Sequence, residues 1–363
     1  MSELRRTVLY PRHQTAGARF ISFAGWEMPV QYEGIVPECR AVRSGCGIFD
    51  ISHMGEFWVS GTGAADALDR VLTARVSALE PGQAAYCLLL LESGGVIDDL
   101  IAYRVGPSDF LLVVNAAKIS EDAEWMRKHL SFDVRLEDLS GAFSAVAVQG
   151  PQAPAIFEST FGEKLPTARN RIGSLPGARE EAWVCTTGYT GEVGFEIVCR
   201  NALARELWDR LIDAGCKPCG LGARDVLRLE ACYPLNGADL DASHTPLEAG
   251  LGFAVALAKA EFIGRDALLR QKEAGLPSRL CALRLDAPMP PLRAHYAVWS
   301  GDSKIGETSS GGLSPTLQAP IGLAYLPVEF SKPGTAVEIE IRGRRHPAHV
   351  VRKPFVSPGS VFA

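Results

Sequence analysis

Two adjacent aspartates, Asp98 and Asp99, interrupt the apolar segment "GGVIDDLIAYRV" (94–105). Aspartate is depleted in β-strands, and an ionised carboxylate that leaves water without a partner is costly or shifts its pKa. Successive strand residues point to opposite faces of a sheet. The strand pattern therefore predicts that the two carboxylates occupy different environments.

The alternation assigns one environment to each aspartate. Asp99 shares its row with Ile97, Ile101 and Tyr103, which indicates a core or a pocket, whereas Asp98 shares its row with Arg104, which predicts a solvated or ion-paired face. The alternative is that both carboxylates lie at an exposed strand end, and strand chemistry alone leaves the two interpretations about even.

A second polar group interrupts the segment "TGYTGEVGFE" (187–196), where Glu196 precedes Ile197 in an apolar strand. The strand follows a glycine-rich turn, and glycine allows a backbone to approach a flat ligand closely. The alternative is a solvent-facing glutamate on an edge strand, because glutamate is mostly exposed in proteins.

The segment "GLGARDVLRLE" (220–230) predicts a short helix with Arg224 near its N-terminus. The helix dipole disfavours a cation there, so an anionic or carbonyl-like group is expected beside it. Asp225 and Arg228, at i and i+3, are interpreted as a surface ion pair. Together the three segments predict a pocket for a planar, polar molecule.

Composition narrows the class of protein. The chain has 363 residues, enough for two or three domains, and its net charge of −5 argues against a general binder of nucleic acid or membrane surfaces. No apolar run approaches the roughly 20 residues that span a bilayer, and no signal peptide is evident. The nine cysteines, an odd number scattered through apolar segments, indicate reduced thiols and a cytoplasmic protein. No arrangement of residues predicts a metal site.

The order of predicted elements indicates an α+β fold. Residues 84–116 predict a three-strand meander between helices, and the segments beyond residue 278 predict short strands of a small barrel or sandwich. Hairpin connections argue against a doubly wound parallel sheet. The dinucleotide and P-loop fingerprints are not found.

Six motifs in order carry a resemblance to a known family: "GWEMPVQY", "GIFDISHMGEFWVSG", "GGVIDDLIAYRV", "TGYTGEVGFEI", "GLGARDVLRLEA" and "SPTL". The chain resembles the aminomethyltransferases, the T-proteins of the glycine cleavage system, over essentially its whole length. The resemblance implies three domains in a cloverleaf around a central folate site, with a discontinuous first domain and a C-terminal β-barrel-like domain. The implied ranges are 1–50 and 141–255 for domain 1, 51–140 for domain 2, 256–278 for a helical linker and 279–363 for domain 3.

The resemblance also implies site residues. Asp99 matches the family's catalytic aspartate, Glu196 its anchor for the pterin ring, and Arg224 a residue that fixes the polar edge of that ring. A carboxylate can accept two parallel hydrogen bonds from the 2-amino group and a ring N–H. Further candidates to line the folate pocket are Tyr86, Tyr103 and Tyr189.

The reaction that the resemblance implies moves a one-carbon unit from an aminomethyl group on the lipoyl arm of H-protein to tetrahydrofolate. The products are 5,10-methylene-tetrahydrofolate and ammonia. Two alternatives remain: a folate-dependent demethylase of a small methyl donor, and a non-catalytic folate-binding paralogue. The chain departs from the family pattern at Val193, where aspartate is common, and in "TSSGG" (308–312). Both departures affect fine geometry and leave the three principal site residues unchanged.

Overall fold

Mostly antiparallel sheets are the main regular structure of the computed structural model, which describes residues 3–131, 133–178, 181–286 and 290–357. The strands in chain order are β1 (Arg19–Phe23), β2 (Trp26–Gln31), β3 (Gly47–Asp50), β4 (Gly55–Ser60), β5 (Ala84–Leu90), β6 (Val96–Arg104), β7 (Asp109–Val114), β8 (Arg135–Asp138), β9 (Phe143–Gln149), β10 (Ile172–Ser174), β11 (Ala182–Cys185), β12 (Gly194–Arg200), β13 (Lys217–Pro218), β14 (Ser278–Leu285), β15 (Ala297–Ser300), β16 (Ser303–Ser314), β17 (Ala319–Pro327), β18 (Ala336–Ile341) and β19 (Arg344–Val351).

Helices cover the sheets. In chain order they are α1 (Tyr10–Thr15), α2 (Ile35–Ser44), α3 (Ala64–Val71), α4 (Ile119–His129), α5 (Ala153–Phe161), α6 (Asn201–Asp213), α7 (Leu221–Glu230) and α8 (Arg265–Ala274). Within the described ranges, no helix combines the length and hydrophobicity needed to cross a bilayer.

A six-stranded sheet in the order β10-β11-β12-β9-β3-β13 carries Glu196 on β12. Every residue of β9 is buried, because its side chains pack into one apolar cluster on each face of the sheet. A strand covered on both faces has a continuous apolar sequence, as "FSAVAVQ" does. Strand β12 therefore lies inside a sheet with two covered faces.

A five-stranded sheet in the order β5-β6-β7-β4-β8 carries both aspartates on β6. Strands β5, β6 and β7 pair consecutively and antiparallel, which confirms the predicted meander. Helices α3 and α4 contribute to the apolar cluster on one face of this sheet. The other face contributes to the same cluster as one face of the six-stranded sheet, so the two sheets pack together.

The C-terminal strands form a closed barrel in the order β14-β17-β16-β15-β18-β19. Closure removes the exposed edges of a sheet, and its interior is filled by a separate apolar cluster. Of the two predicted forms, barrel or sandwich, the chain has the barrel. The α+β, multidomain class is confirmed. The domain ranges stay a prediction, and residues 358–363 of the third domain lie outside the described part.

Candidate active site

A β-bulge decides where the side chains of β6 point. Asp98 lies opposite Leu89 and Val96 lies opposite Leu90, so Ile97 is an additional residue on its strand. Ile97 therefore packs in the apolar cluster of Leu89, while Val96 packs in the cluster of Leu90. The predicted row that joins Ile97 to the second aspartate is wrong, because strict alternation ends at the bulge.

Asp98 is fully buried and has no contact with Arg104. Its carboxylate accepts hydrogen bonds from the Asn115 backbone N–H (3.1 Å) and side-chain amide (2.8 Å). Arg104 donates instead to the carbonyls of Leu79 and Pro107, each at 2.5 Å. The predicted ion pair is wrong because the two residues are six positions apart on the strand, roughly 20 Å. Burial raises the pKa of Asp98.

Asp99 is partly buried and its two carboxylate oxygens have different donors. The Tyr86 hydroxyl donates to Oδ2 (2.9 Å) and the Asn115 amide to Oδ1 (3.0 Å). Burial, and next the charge of Asp98, raise the pKa of Asp99 to about 7. The alternative of two solvated carboxylates is wrong. A carboxyl group with this pKa exchanges a proton near neutral pH, as general acid–base catalysis requires.

Glu196 lies on an interior strand, so the edge-strand alternative is wrong. Thr187 Oγ1 donates to its Oε2 (2.5 Å), and the Tyr103 hydroxyl lies 2.8 Å from the same Thr187 oxygen. Because the Thr187 proton points to Glu196, Tyr103 is the donor to Thr187. Burial raises the pKa of Glu196, while Thr187 and the charge of Arg224 oppose that shift.

Arg224 has one donor that no group in the described part of the chain satisfies. Its Nη1 is buried without a hydrogen-bond partner among the described residues, and its guanidinium lies 4.9 Å above the ring of Tyr189. Burial lowers its pKa, and the charge of Glu196 opposes that shift. A buried unpaired donor is destabilising, so this position fits a ligand that supplies an acceptor.

Tyr189 connects the two halves of the site. Its hydroxyl donates to the Pro234 carbonyl and its ring stacks on Tyr233 at 5.9 Å. Burial raises its pKa, Arg228 opposes the shift, and the charge of Asp99 adds to it. Asp99 and Arg224 thus both act on one tyrosine, and we define the candidate site by its six residues, Asp99, Glu196, Arg224, Tyr86, Tyr103 and Tyr189.

A cleft of about 310 Å³ borders this site. Its lining includes Tyr86, which donates to Asp99, and Phe253, which stacks against Tyr86 at 6.2 Å. The Phe253 side chain is 80% exposed, although large aromatic side chains are usually buried. The cleft therefore gives an apolar approach from solvent to the tyrosine that contacts Asp99.

Two glycines of segment 187–196 allow strand β9 to pack closely against this segment. A Cβ on Gly188 would lie 2.0 Å from Gln149 Oε1, and a Cβ on Gly194 would lie 2.3 Å from the Val148 carbonyl. Close packing against strand β9 is therefore one reason for glycine at these two positions, and the approach of a flat ligand to this loop stays a prediction. Gly191, with φ of 80°, adopts the left-handed conformation that glycine favours.

Asn115 and Thr187 donate hydrogen bonds to the carboxylates of the candidate site, and the sequence did not predict either contact. Asn115 follows the last residue of β7, "DFLLVV", and a polar residue at the end of an apolar strand is its only sequence signal. The sequence also did not predict the buried polar group of His53, whose Nδ1 has no hydrogen-bond partner within the described part of the chain. Burial lowers the pKa of His53 to about 4, which leaves the imidazole neutral.

A buried charge network, centred on Arg43, holds the segments around the site. The Arg43 guanidinium donates to Glu192 (2.7 Å) and to Glu230 (2.7 Å), and all three side chains are at most 2% exposed. Glu230, at the end of α7, also accepts from Ser314 (2.5 Å) and Thr316 (3.1 Å) near the end of β16. The network joins α2, the glycine-rich loop, α7 and the barrel.

The predicted ion pair between Asp225 and Arg228 forms at 2.8 Å, but Arg228 is only 3% exposed and the pair is not a surface pair. Arg228 also contacts Asp239 at 2.7 Å and Ser310 at 2.9 Å. The extra partners explain its burial, because a buried guanidinium needs acceptors for its several donors.

Comparison with known proteins agrees with this geometry. The model of the GCVT N-terminal domain matches residues 9–259, and that of the glycine cleavage T-protein C-terminal barrel domain matches residues 279–357. The second range coincides with the closed barrel. The fold is therefore that of the GCVT class of proteins.

Full-length relatives narrow this class. An aminomethyltransferase of Bacillus mycoides is 43% identical over 98% of this chain and 99% of its own, and one of Picosynechococcus is 44% identical over 97% and 98%. The chain also matches the crystal structure of glycine cleavage system aminomethyltransferase T from Bartonella henselae with a TM-score of 0.92 and 34% identity. The match covers 97% of this chain and 98% of that one. The chain belongs to the aminomethyltransferase family of glycine cleavage T-proteins, which are transferases.

We expect Arg43→Met to lower the free energy of unfolding by about 3–5 kcal/mol, because it leaves Glu192 and Glu230 buried without their cation. Urea unfolding followed by circular dichroism measures this loss. Arg40→Met, an exposed position on the same helix, is the control and is expected to change stability by less than about 0.5 kcal/mol. Equal stabilities of the two variants would show that the network does not stabilise the fold.

Proposed function

We propose that this chain transfers the methylene carbon of an aminomethyl group, carried on the lipoyl arm of H-protein, to tetrahydrofolate with release of ammonia. The product is 5,10-methylene-tetrahydrofolate. The observation that carries the proposal is the carboxyl of Asp99, which Tyr86 and Asn115 hold and whose pKa is raised to about 7. Full-length identity to aminomethyltransferases supports the same reaction.

The side chains of Glu196 and Arg224 fit the polar edge of a pterin. Glu196 receives one hydrogen bond from Thr187, which leaves acceptor capacity for a 2-amino group and a ring N–H. The free Nη1 of Arg224 can donate to a ring carbonyl. Tetrahydrofolate, when bound, supplies the amine that accepts the one-carbon unit. Tyr189, whose ring lies under Arg224, supplies an aromatic wall.

Asp99 is the proposed catalytic residue. Tyr86 on β5 donates to its Oδ2, and Asn115 at the end of β7 donates to its Oδ1. The carboxylate is therefore oriented before any substrate binds. The ionised form accepts a proton from the substrate amine and stabilises nearby positive charge, and the protonated form returns the proton. Proton transfer by a positioned group contributes roughly 10²- to 10⁴-fold to a rate.

We also propose the domain ranges 1–50 with 141–255, 51–140 and 279–363, joined by a helical linker at 256–278. The pairing of strands supports this division, since each sheet draws its strands from one of these ranges, apart from the first residue of β14, Ser278, which falls in the linker range. All nine cysteines are free, which supports a reducing, cytoplasmic location.

The test of the proposed function is incubation of the protein with aminomethyl-loaded H-protein and tetrahydrofolate. We expect release of ammonia and formation of methylene-tetrahydrofolate in equal amounts. Formation of the folate product only from a small methyl donor would favour the demethylase, and folate binding without turnover would favour the non-catalytic paralogue.

We expect Glu196→Ala to weaken tetrahydrofolate binding by about 1.5–3 kcal/mol, the usual contribution of hydrogen bonds to a charged group. Arg224→Ala is expected to have a similar effect. Isothermal titration calorimetry measures both, with exposed Glu158→Ala as the control at unchanged affinity. An unchanged affinity of the Glu196 variant would remove this residue from the folate site.

We expect Asp99→Asn to lower kcat by roughly 10²- to 10⁴-fold with little change in folate affinity or thermal midpoint, because the amide keeps the size of the side chain and loses its basic oxygen. Wild-type kcat should rise with pH through about 7, since only the ionised carboxylate accepts a proton. This acid limb should be absent from the variant.

The control for this prediction is Asp66→Asn on the exposed face of α3, which should retain wild-type kcat. Comparable loss in both aspartate variants, or an unchanged acid limb in Asp99→Asn, would contradict the role of Asp99 as the base.

A further inference from the structure

Asp122, in the first turn of α4, is a fully buried carboxyl group outside the six-residue site. Its carboxyl faces the carboxyl of Asp98 on β6 closely enough for the two groups to share a proton. No donor within the described residues contacts either of its oxygens. Two ionised carboxylates in such contact repel strongly, so one of them holds a proton and donates it to the other.

The hydrogen bonds show which carboxyl group holds the proton. Asp98 accepts two bonds from Asn115, at 3.1 and 2.8 Å, and both stabilise its ionised form. Asp122 accepts none, and burial followed by the charge of Asp98 raises its pKa to about 10. Asp122 is therefore the neutral donor, and Asp98 is the anion that accepts from it.

Asn115 connects this pair to the candidate base. Its side-chain amide donates to Asp98 Oδ1 (2.8 Å) and also to Asp99 Oδ1 (3.0 Å). An anionic Asp98 therefore orients the amide that holds Asp99. The charge of Asp98 is also the cause, after burial, of the raised pKa of Asp99.

We propose that Asp122 is a positioning residue for the transfer reaction, because its neutral carboxyl keeps Asp98 an anion and Asp98, through Asn115, orients the carboxylate of Asp99. This inference rests on the proposed role of Asp99 as the base. Asp122 itself touches no residue of the six-residue site, so its effect on the reaction passes through Asp98.

Other charged groups near these carboxyls do not replace this interaction. On α4, Glu121 and Lys118 face Asp122 with opposite effects on its pKa and form their own pair at 2.7 Å. On the opposite side, Asp99 faces the hydroxyl of Tyr86 and the ring of Tyr189, both of which are neutral at physiological pH.

The experiment compares Asp122→Leu, which removes the donor at similar volume, with Asp122→Asn, whose amide still donates. Met126→Ala, a fully buried position on the same helix, controls for loss of stability alone. The readouts are the pH dependence of kcat and a carboxyl ¹³C NMR titration of the ligand-free protein. The NMR titration does not depend on turnover.

In Asp122→Leu, Asp98 loses a donor and takes up a proton at higher pH. The negative charge beside Asp99 then decreases, so the acid limb of kcat and the NMR titration of Asp99 should move to lower pH by about one unit. Asp122→Asn should keep the wild-type pH profile. Met126→Ala should lower the thermal midpoint without moving the profile.

The proposal is overturned if Asp122→Leu and Met126→Ala have the same pH profile, or if Asp122→Asn shifts the profile as far as Asp122→Leu does. The wild-type titration keeps the test independent of folding in the variants: Asp122 should stay protonated and Asp98 ionised from pH 6 to 8, and the reverse assignment would contradict the proposal. Failure of the base role alone would appear as full activity of Asp99→Asn with these NMR assignments unchanged.

Discussion

The need to pair one buried cation, Arg43, constrains the arrangement of the whole site. A guanidinium taken out of water without acceptors is strongly destabilising, so Glu192 and Glu230 must both reach it. Glu192 belongs to the loop that follows Tyr189, and Glu230 ends the helix that carries Arg224. Glu230 is also bonded to the end of β16 in the barrel. The loop, the helix and the barrel therefore have one relative placement in which all these charges are satisfied, and in that placement the Arg224 guanidinium lies over the ring of Tyr189.

The site divides its chemistry between two carboxylates in different surroundings. Glu196 has a threonine donor and lies within the field of a cation, which favours its ionised form against burial and suits it to accept hydrogen bonds. Burial, and next the charge of the neighbouring Asp98, raise the pKa of Asp99 and suit it to exchange a proton. Residues with these two properties match the two needs of a folate-dependent transferase, which must hold a polar ring and move a proton on an amine.

Local sequence patterns predicted much of the fold, while the roles of the site residues follow from the family resemblance and stay predictions. The hairpin connections, the meander and the barrel all follow from short-range alternation and turn residues. The pattern could not locate the bulge at Ile97, because a bulge depends on the register with the partner strand. It also placed Asp98 in one row with Arg104, although six positions along a strand put the two residues roughly 20 Å apart. Asn115, Arg43 and Asp122 were missed because their partners lie far away in sequence and alternation does not encode such contacts.

Glu196 and Asp99 are proposed to contact the same bound folate, Glu196 at the pterin ring and Asp99 at the reacting amine. A crystal structure of the protein with bound tetrahydrofolate tests this proposal most directly. The account predicts hydrogen bonds from the pterin 2-amino group and a ring N–H to the Glu196 carboxylate, an acceptor of the same ring opposite Arg224 Nη1, and a folate amine facing Asp99. A pterin bound elsewhere, with the carboxylate of Glu196 and the donor of Arg224 free of ligand, would contradict it.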